Sequence, residues 1–157
     1  GQYNSGVMCH EGLGIAQDDK EAIKWWKLAA EQKHVKALYN LGLVYSQGKG
    51  VPQDNKLAFE FYRLAAEDGN ALAQFNLGWM YRNAKGMPKD NKEAIKWYRL
   101  AADQGNTEAQ FNLGLMHRRG QGVPKDLNEA VKWYRLAAEN GHAGSKTNLN
   151  LLKDAFF

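Results

Sequence analysis

The apolar and polar positions of this 157-residue chain recur at a fixed interval. Blocks that begin at Ala37, Ala73 and Ala109 read ALYNLGLVYSQGKGVPQD, AQFNLGWMYRNAKGMPKD and AQFNLGLMHRRGQGVPKD, so equivalent residues lie 36 positions apart. A related block begins at Gly1, and Ser145 begins half a unit, SKTNLNLLKDAFF. Apolar residues within a block follow the period of an amphipathic α-helix. The pattern predicts four full repeats and one terminal helix.

Each repeat also contains a second helical segment, which follows a turn such as GKGVPQD. Gly and Pro in that turn end the preceding helix, and its shortness makes the two helices antiparallel neighbours. The residue before the second segment is an aspartate in every repeat, and it can accept hydrogen bonds from the first free backbone N–H groups: Asp18, Asp54, Asp90 and Asp126. The repeat is therefore predicted to be a helical hairpin.

The corners between hairpins carry a second set of cap signals. Glycines at 69, 105 and 141 suit a left-handed helix end. Lys33 stands at that position in the first repeat, so this corner is predicted to be strained or differently closed. Asn70 and Asn106 are predicted to cap the next helix, with His34 and His142 as weaker substitutes.

Such hairpins cannot bury their apolar faces alone, and stacking them produces a continuous core. The predicted fold class is all-α, a right-handed α-solenoid (α/α superhelix) of helix-turn-helix repeats. We expect one domain over residues 1–157, with repeats 1–36, 37–72, 73–108 and 109–144 and a C-terminal capping helix at 145–157.

A glycine lies in the middle of every first helix, where it costs on the order of 1 kcal/mol relative to alanine: Gly6, Gly42, Gly78 and Gly114. Close crossing of the partner helix is the expected compensation. The large rings predicted to pack there, around small residues at 30, 66, 102 and 138, are Trp25, Phe61, Trp97 and Trp133.

Composition narrows the class of protein. The net charge of +4 arises from interleaved residues of both signs, which gives no concentrated nucleic-acid footprint. A single cysteine, Cys9, cannot form an internal disulfide, and no apolar run is long enough to span a membrane. The chain opens at Gly1 inside the first repeat with no apolar leader, which we interpret as an excised or processed piece. Cytoplasmic, periplasmic and secreted locations all stay open.

The pattern AxxxLGxxYxxGxGVPxDxxxAxxWYxxAAxxG resembles the Sel-one-like repeat (SLR), which is related to the tetratricopeptide repeats. The resemblance covers residues 1–144, and the Leu-Gly pair, the Gly-x-Gly-Val-Pro turn and the Trp-Tyr…Ala-Ala run recur in register. It implies a superhelical adaptor that binds peptides or protein surfaces, often in bacterial signalling, envelope biology or host interaction. One cysteine-rich branch is associated with β-lactam binding. This chain lacks those cysteines, so neither the disulfides nor that activity is carried over.

Resemblance to tetratricopeptide units also implies that the first helices line a concave groove. The predicted groove residues are Tyr3, Asn4, Tyr39, Asn40, Leu43, Phe75, Asn76, Trp79, Arg82, Phe111, Asn112, Leu115, Arg118 and Asn148. Asparagine is a mediocre helix former, so its recurrence in mid-helix needs a reason. Its carboxamide suits contact with the backbone of an extended peptide. The alternative is that each asparagine bridges neighbouring helices within its own repeat.

The later groove is predicted to be positive, because Arg82, Arg118 and Arg119 fall in the third and fourth repeats. Arginine pairs with carboxylates through two parallel hydrogen bonds. The expected partner is thus a protein or peptide, with an acidic or C-terminal segment as the specific hypothesis.

No other chemistry is predicted. The histidines are scattered and Cys9-His10 lacks the ligand spacing of a zinc site, so we expect no catalytic residue, no metal, no cofactor and no small-molecule substrate.

Two alternative functions stay open. A basic ridge on the second helices would bind nucleic acid or an anionic membrane weakly, although interrupting glutamates disfavour it. Its residues are Lys20, Lys24, Lys27, Lys92, Lys96, Arg99, Lys132 and Arg135. Leu151, Leu152, Phe156 and Phe157 would cap the fourth repeat or stack on another copy, giving a homo-oligomer.

Overall fold

The structure, a computed structural model, describes the backbone of residues 1–156 and the side chains of residues 1–152. In this described part the chain forms nine α-helices and no strand. They are α1 (Gln2–Glu11), α2 (Asp19–Glu31), α3 (Val35–Gln47), α4 (Asn55–Glu67), α5 (Ala71–Asn83), α6 (Asn91–Asp103), α7 (Thr107–Arg119), α8 (Leu127–Glu139) and α9 (Ala143–Phe156). The helical hairpin predicted for every repeat is confirmed.

The chain divides into two compact units. The first comprises Gly1–Ala73 and Lys85–Pro88, and the second comprises Gln74–Ala84 together with the described chain from Lys89 onward. In the first unit α1 packs against α2, α2 against α3, and α3 against α4. The second unit repeats this arrangement over α6 to α9 and also contains most of α5.

The predicted caps set the helix boundaries. Asp18, in extended conformation, accepts hydrogen bonds at 3.0 Å from the backbone N–H groups of Lys20 and Glu21. Asp54, Asp90 and Asp126 begin α4, α6 and α8 in the same way. The asparagine and histidine caps are also confirmed. Nδ1 of His142 accepts from the Ser145 N–H at 3.0 Å, and Nδ1 of His34 accepts from the Ala37 N–H at 3.3 Å.

Aromatic rings from the partner helices pack against the mid-helix glycines, as predicted. The rings that make this contact, however, belong to the residues one position after the predicted ones. A Cβ on Gly114 would lie 2.6 Å from Cδ1 of Tyr134, and a Cβ on Gly42 would lie 2.6 Å from Cδ1 of Tyr62. Trp26 covers Gly6, and Tyr98 covers Gly78 in the same manner. Trp25, Phe61, Trp97 and Trp133 are only partly buried. Successive helical side chains diverge by about 100°, so only the second ring of each aromatic pair faces the glycine.

The last helix closes the second unit through one of its two leucines. Leu152 is buried with Ala130 and Tyr134, whereas Leu151 is 54% exposed. The side chains of Phe156 and Phe157, which were predicted to be buried with them, lie outside the described residues. Leu152 therefore supplies the capping contact that the structure describes.

Two residues other than glycine adopt left-handed backbone conformations. Lys33 has φ 57°, which confirms a strained corner where other repeats have Gly69, Gly105 and Gly141. Ala84 has φ 54° at the position that Gly12, Gly48 and Gly120 occupy elsewhere. A Cβ is unfavourable in this region, so both positions store conformational strain.

We expect Ala84→Gly to raise the free energy of unfolding by about 1 kcal/mol, because glycine adopts this conformation without Cβ strain. Chemical denaturation monitored by circular dichroism measures the difference. Gly12→Ala is the matched reverse control, since its Cβ would meet no atom closer than 3.4 Å and φ there is 69°. It should lose a similar amount, and a stabilised Gly12→Ala variant would contradict the backbone explanation.

Candidate peptide-binding face

The predicted groove residues lie on the first helices of the repeats, except for Asn148, which lies on the terminal helix α9. In the first unit Tyr3 and Asn4 belong to α1, and Tyr39, Asn40 and Leu43 belong to α3. A cavity of 310 Å³ between these two helices is lined by Tyr3, Asn40 and Leu43, together with His10 and Trp26. Tyr3 also stacks on His34, with ring centroids 4.6 Å apart. The structure thus brings three of the five predicted residues of this unit to one cavity.

In the second unit a larger cavity of 560 Å³ separates α5 from α7. Phe75, Trp79 and Arg82 line it from α5, and Phe111 and Asn112 line it from α7. All five are predicted groove residues. Its wall also includes residues that the sequence analysis missed: Asn83, Lys89, Asn91, Glu108 and Gln121. Apart from Glu108, these residues lie within or beside the turn that joins the two helices of a repeat. The backbone of that turn is irregular because it contains Gly and Pro, so the sequence does not predict which of its side chains face the cavity.

The aromatic residues divide into anchored and exposed groups. Phe75 packs against Tyr98 with ring centroids 5.8 Å apart, and Phe111 makes the same contact with Tyr134. Phe111 also stacks on His142 at 4.3 Å. Trp79 is 43% exposed and is the largest apolar side chain of the cavity that reaches solvent. An exposed indole beside anchored rings provides contact area for a partner.

Two of the asparagines are held by arginines of the preceding repeat. Nη1 of Arg82 donates to Oδ1 of Asn112 at 2.6 Å, and Nη1 of Arg118 donates to Oδ1 of Asn148 at 2.8 Å. Nδ2 of each asparagine donates to its own helix, at Glu108 O and Gly144 O. These contacts join neighbouring repeats, whereas the alternative considered above placed the bridge within one repeat.

The earlier asparagines are different. Neither Asn40 nor Asn76 forms a side-chain hydrogen bond with another residue of the described chain, and both are partly exposed. Their donors and acceptors are open to solvent or to a partner. The recurring asparagine therefore has two structural roles, which its recurrence in the sequence does not distinguish.

Two cations and one carboxylate line the cavity of the second unit: Arg82 from α5, Lys89 from the turn before α6, and Glu108 from α7. The carboxylate of Glu108 lies 3.3 Å from Nε2 of His142. Burial raises the pKa of the Tyr98 phenol to about 12, although the neighbouring guanidinium of Arg82 opposes the shift. Burial likewise raises the pKa of Tyr134 against the opposing effect of Arg118. Both phenols therefore stay neutral beside the two arginines at physiological pH.

The basic ridge on the second helices is partly neutralised. Lys24 pairs with Glu21 at 2.8 Å, Lys132 pairs with Glu129 at 3.0 Å, and Lys96 pairs with Glu93. Exposed ion pairs of this kind contribute little to stability. They do, however, neutralise positive charge that binding to the phosphates of a nucleic acid would require. Among the described residues, no cluster of three His, Cys, Asp or Glu side chains is arranged to hold a metal ion. No described helix is long and apolar enough to cross a membrane.

Stacked helical hairpins with ring-into-glycine contacts define an α-helical repeat protein. The sequence model of the Sel1 repeat matches residues 1–34, 35–70, 71–106 and 107–142. The chain belongs to the Sel1 repeat family, and the all-α solenoid fold class predicted from the sequence is confirmed. No curated protein matches the sequence.

Solved structures support the same assignment. A Sel1 repeat protein from Oxalobacter formigenes is 38% identical with a TM-score of 0.91, over 94% of this chain and 61% of that one. The protein c5321, a protective antigen of uropathogenic Escherichia coli strains with an SLR fold, is 40% identical with a TM-score of 0.94, over 96% and 32%. Helicobacter pylori cysteine rich protein B is 25% identical with a TM-score of 0.66, over 83% and 96%. The chain thus spans less than two thirds of the first two proteins.

Sel1 repeat proteins are generally scaffolds for protein interactions and generally not enzymes. This agrees with the class of function expected from the sequence. The bacterial sources of these relatives also agree with the expected bacterial setting.

Proposed function

We propose that this chain is a scaffold that binds an extended peptide segment of a protein partner across α5 and α7. The supporting observation is the 560 Å³ cavity between these helices, which combines the exposed indole of Trp79 with the guanidinium of Arg82. Tryptophan and arginine are enriched among the few interface residues that contribute most of the binding free energy. A cavity that places a large apolar side chain beside a cation is therefore a suitable site for a partner.

Asn76 gives this face a way to bind a peptide without reading its sequence. Asn76 follows Phe75 on α5 but does not itself line the cavity, and no described residue occupies the hydrogen-bonding groups of its carboxamide. One donor and one acceptor on a single side chain match the C=O and N–H of an extended backbone. Trp79 and Arg82 would then select among segments that satisfy the backbone contact.

The test uses the intact chain and the double variant Asn76→Ala/Arg82→Ala. Proteins captured by the intact chain are identified and purified, and their affinities for both forms are measured by calorimetric titration. Loss of one charged hydrogen bond and one neutral one is expected to weaken binding at least tenfold. Circular dichroism should show unchanged helix content, because both side chains lie on the partly exposed face.

A matched control removes one cationic side chain and one carboxamide from exposed positions of the same unit outside the cavity. Lys92→Ala/Asn128→Ala deletes one cation and one carboxamide at exposed positions of α6 and α8. The control should retain full affinity. Equal affinity of all three forms for a purified partner would exclude the α5–α7 face as the binding site.

A further inference from the structure

The second unit contains the same arginine–asparagine pair twice. Arg82 and Asn112 are 30 residues apart, as are Arg118 and Asn148, and the two pairs are related by the 36-residue repeat. In both pairs the asparagine Nδ2 donates to the carbonyl four residues earlier, at 2.8 Å for Asn112 and 3.1 Å for Asn148. The amide is therefore fixed with its oxygen toward the arginine.

This arrangement orients the guanidinium groups, which also face the buried phenols of Tyr98 and Tyr134. The asparagine oxygen engages Nη1, while arginine has further donors on Nε and Nη2 in the same plane. Neither Arg82 nor Arg118 forms an ion pair with a carboxylate of the described chain. An oriented guanidinium without a carboxylate partner is prepared for one from another molecule.

The first unit does not offer this arrangement. Its equivalent residues are His10, whose Nδ1 lies 2.7 Å from Oδ1 of Asp19, and Ser46, which bonds to Leu43 O at 2.8 Å and to the Tyr62 hydroxyl at 3.3 Å. A carboxylate already faces His10, and Ser46 carries no charge. These oriented cations are therefore a property of the third and fourth repeats.

We infer that the partner segment carries two carboxylate side chains, one for Arg82 and one for Arg118, separated by about three residues of extended chain. Packed helices lie roughly 10 Å apart, and an extended chain in the polyproline II conformation rises about 3.1 Å per residue with three residues per turn, so side chains three residues apart point to the same side. This inference rests on the proposed peptide-binding function and specifies its partner as an acidic segment with a defined spacing. Asn112 and Asn148 act as positioning residues, since each acts through its arginine.

The probe is a set of fluorescein-labelled Gly/Ser/Ala peptides that contain two glutamates at every separation from adjacent to five residues apart. All members have the same charge, so nonspecific attraction is matched across the set. Fluorescence anisotropy should show an affinity maximum near a separation of three, roughly tenfold above adjacent glutamates. Glutamine at either glutamate of the best peptide should remove that advantage.

Double-mutant cycles test the assignment of each carboxylate and the role of the asparagines. Arg82→Ala should abolish the effect of one Glu→Gln change in the best peptide, and Arg118→Ala should abolish the effect of the other. Asn112→Ala should weaken the best peptide in the wild-type background but have no further effect in the Arg82→Ala background. An additive effect would show that Asn112 contacts the peptide directly and would overturn its positioning role.

The outcomes separate this inference from the proposed function. Affinity that is independent of glutamate separation, or binding that survives Arg82→Ala/Arg118→Ala, would overturn the paired-carboxylate inference. If Asn76→Ala/Arg82→Ala nevertheless loses partner binding, the α5–α7 face is still supported as the binding site, and only the paired-carboxylate inference is rejected. A preference for a peptide with a single C-terminal carboxylate over every paired peptide would also reject the inference.

Discussion

Gly114→Ala is expected to lower the free energy of unfolding by about 2 kcal/mol, as overpacking of a tight core does. Alanine in place of glycine in an exposed helix interior stabilises by about 1 kcal/mol, so the sign of the effect is itself the test. The added Cβ would lie 2.6 Å from both Cδ1 and Cε1 of Tyr134, whose side chain is fully buried. Urea denaturation followed by circular dichroism measures the change.

A second background shows whether the ring is responsible. In a Tyr134→Leu variant the aromatic edge is absent, and Gly114→Ala should then cost much less or become stabilising. Gly78→Ala, whose Cβ would lie 2.8 Å from Cδ1 of Tyr98, should repeat the effect in the preceding hairpin. A wild-type stability for Gly114→Ala would show that the helices separate at little cost, which contradicts close crossing as the reason for the glycine.

The second large effect is expected at His117, which occupies the position of Tyr45 and Tyr81 in the two preceding repeats. The imidazole is 7% exposed, and both of its nitrogens are buried without a hydrogen-bond partner in the described chain. Unsatisfied buried polar groups cost about 1–3 kcal/mol. We therefore expect His117→Tyr to stabilise the protein at pH 7, since Tyr45 shows that the site accommodates a phenol stacked on Phe61.

This stabilisation should increase in acid. Burial lowers the pKa of His117 from its ordinary value, with Arg99 acting in the same direction and Glu129 and Asp126 opposing it. The unfolded chain then binds a proton at a higher pH than the folded chain, so His117 costs folding free energy as the pH falls below about 6.5. Above that pH the imidazole is neutral in both states, and the titration has no effect.

Urea denaturation of the wild type and His117→Tyr between pH 8 and pH 5 measures this difference. The gap in unfolding free energy should be constant at the alkaline end and widen below about 6.5. The other histidines are present in both proteins, so their titration cancels. A gap that stays constant throughout, or narrows in acid, would contradict a buried neutral imidazole at this site.

The sequence predicts the elements well because their signals are local. The caps at Asp18 and Asp54 act on N–H groups two or three residues away, so the chain alone fixes where those helices begin. The choice between Trp25 and Trp26 was wrong for a physical reason. Both are large and apolar, and only the rotation of α2 against α1 determines which ring meets Gly6.

The candidate face was predictable only in outline. Periodicity placed Arg82 and Asn112 on first helices, but their hydrogen bond joins residues 30 positions apart through side-chain geometry that no local pattern encodes. The same sequence signal covers Asn76, which has no such bond. Lys89 and Gln121 reach the cavity from irregular turns, where side-chain direction does not follow a helical period.

One position of each repeat is occupied by His10, Ser46, Arg82 or Arg118, while the glycine and ring beneath it hardly change. The residue that we propose to face a partner is thus separate from those that hold the hairpin together. Duplication of a hairpin copies the scaffold, and one later codon change gives the copy its own preference. In such a chain, a new binding specificity can arise in one repeat at a time, and each substitution leaves the contacts that stabilise the fold unchanged.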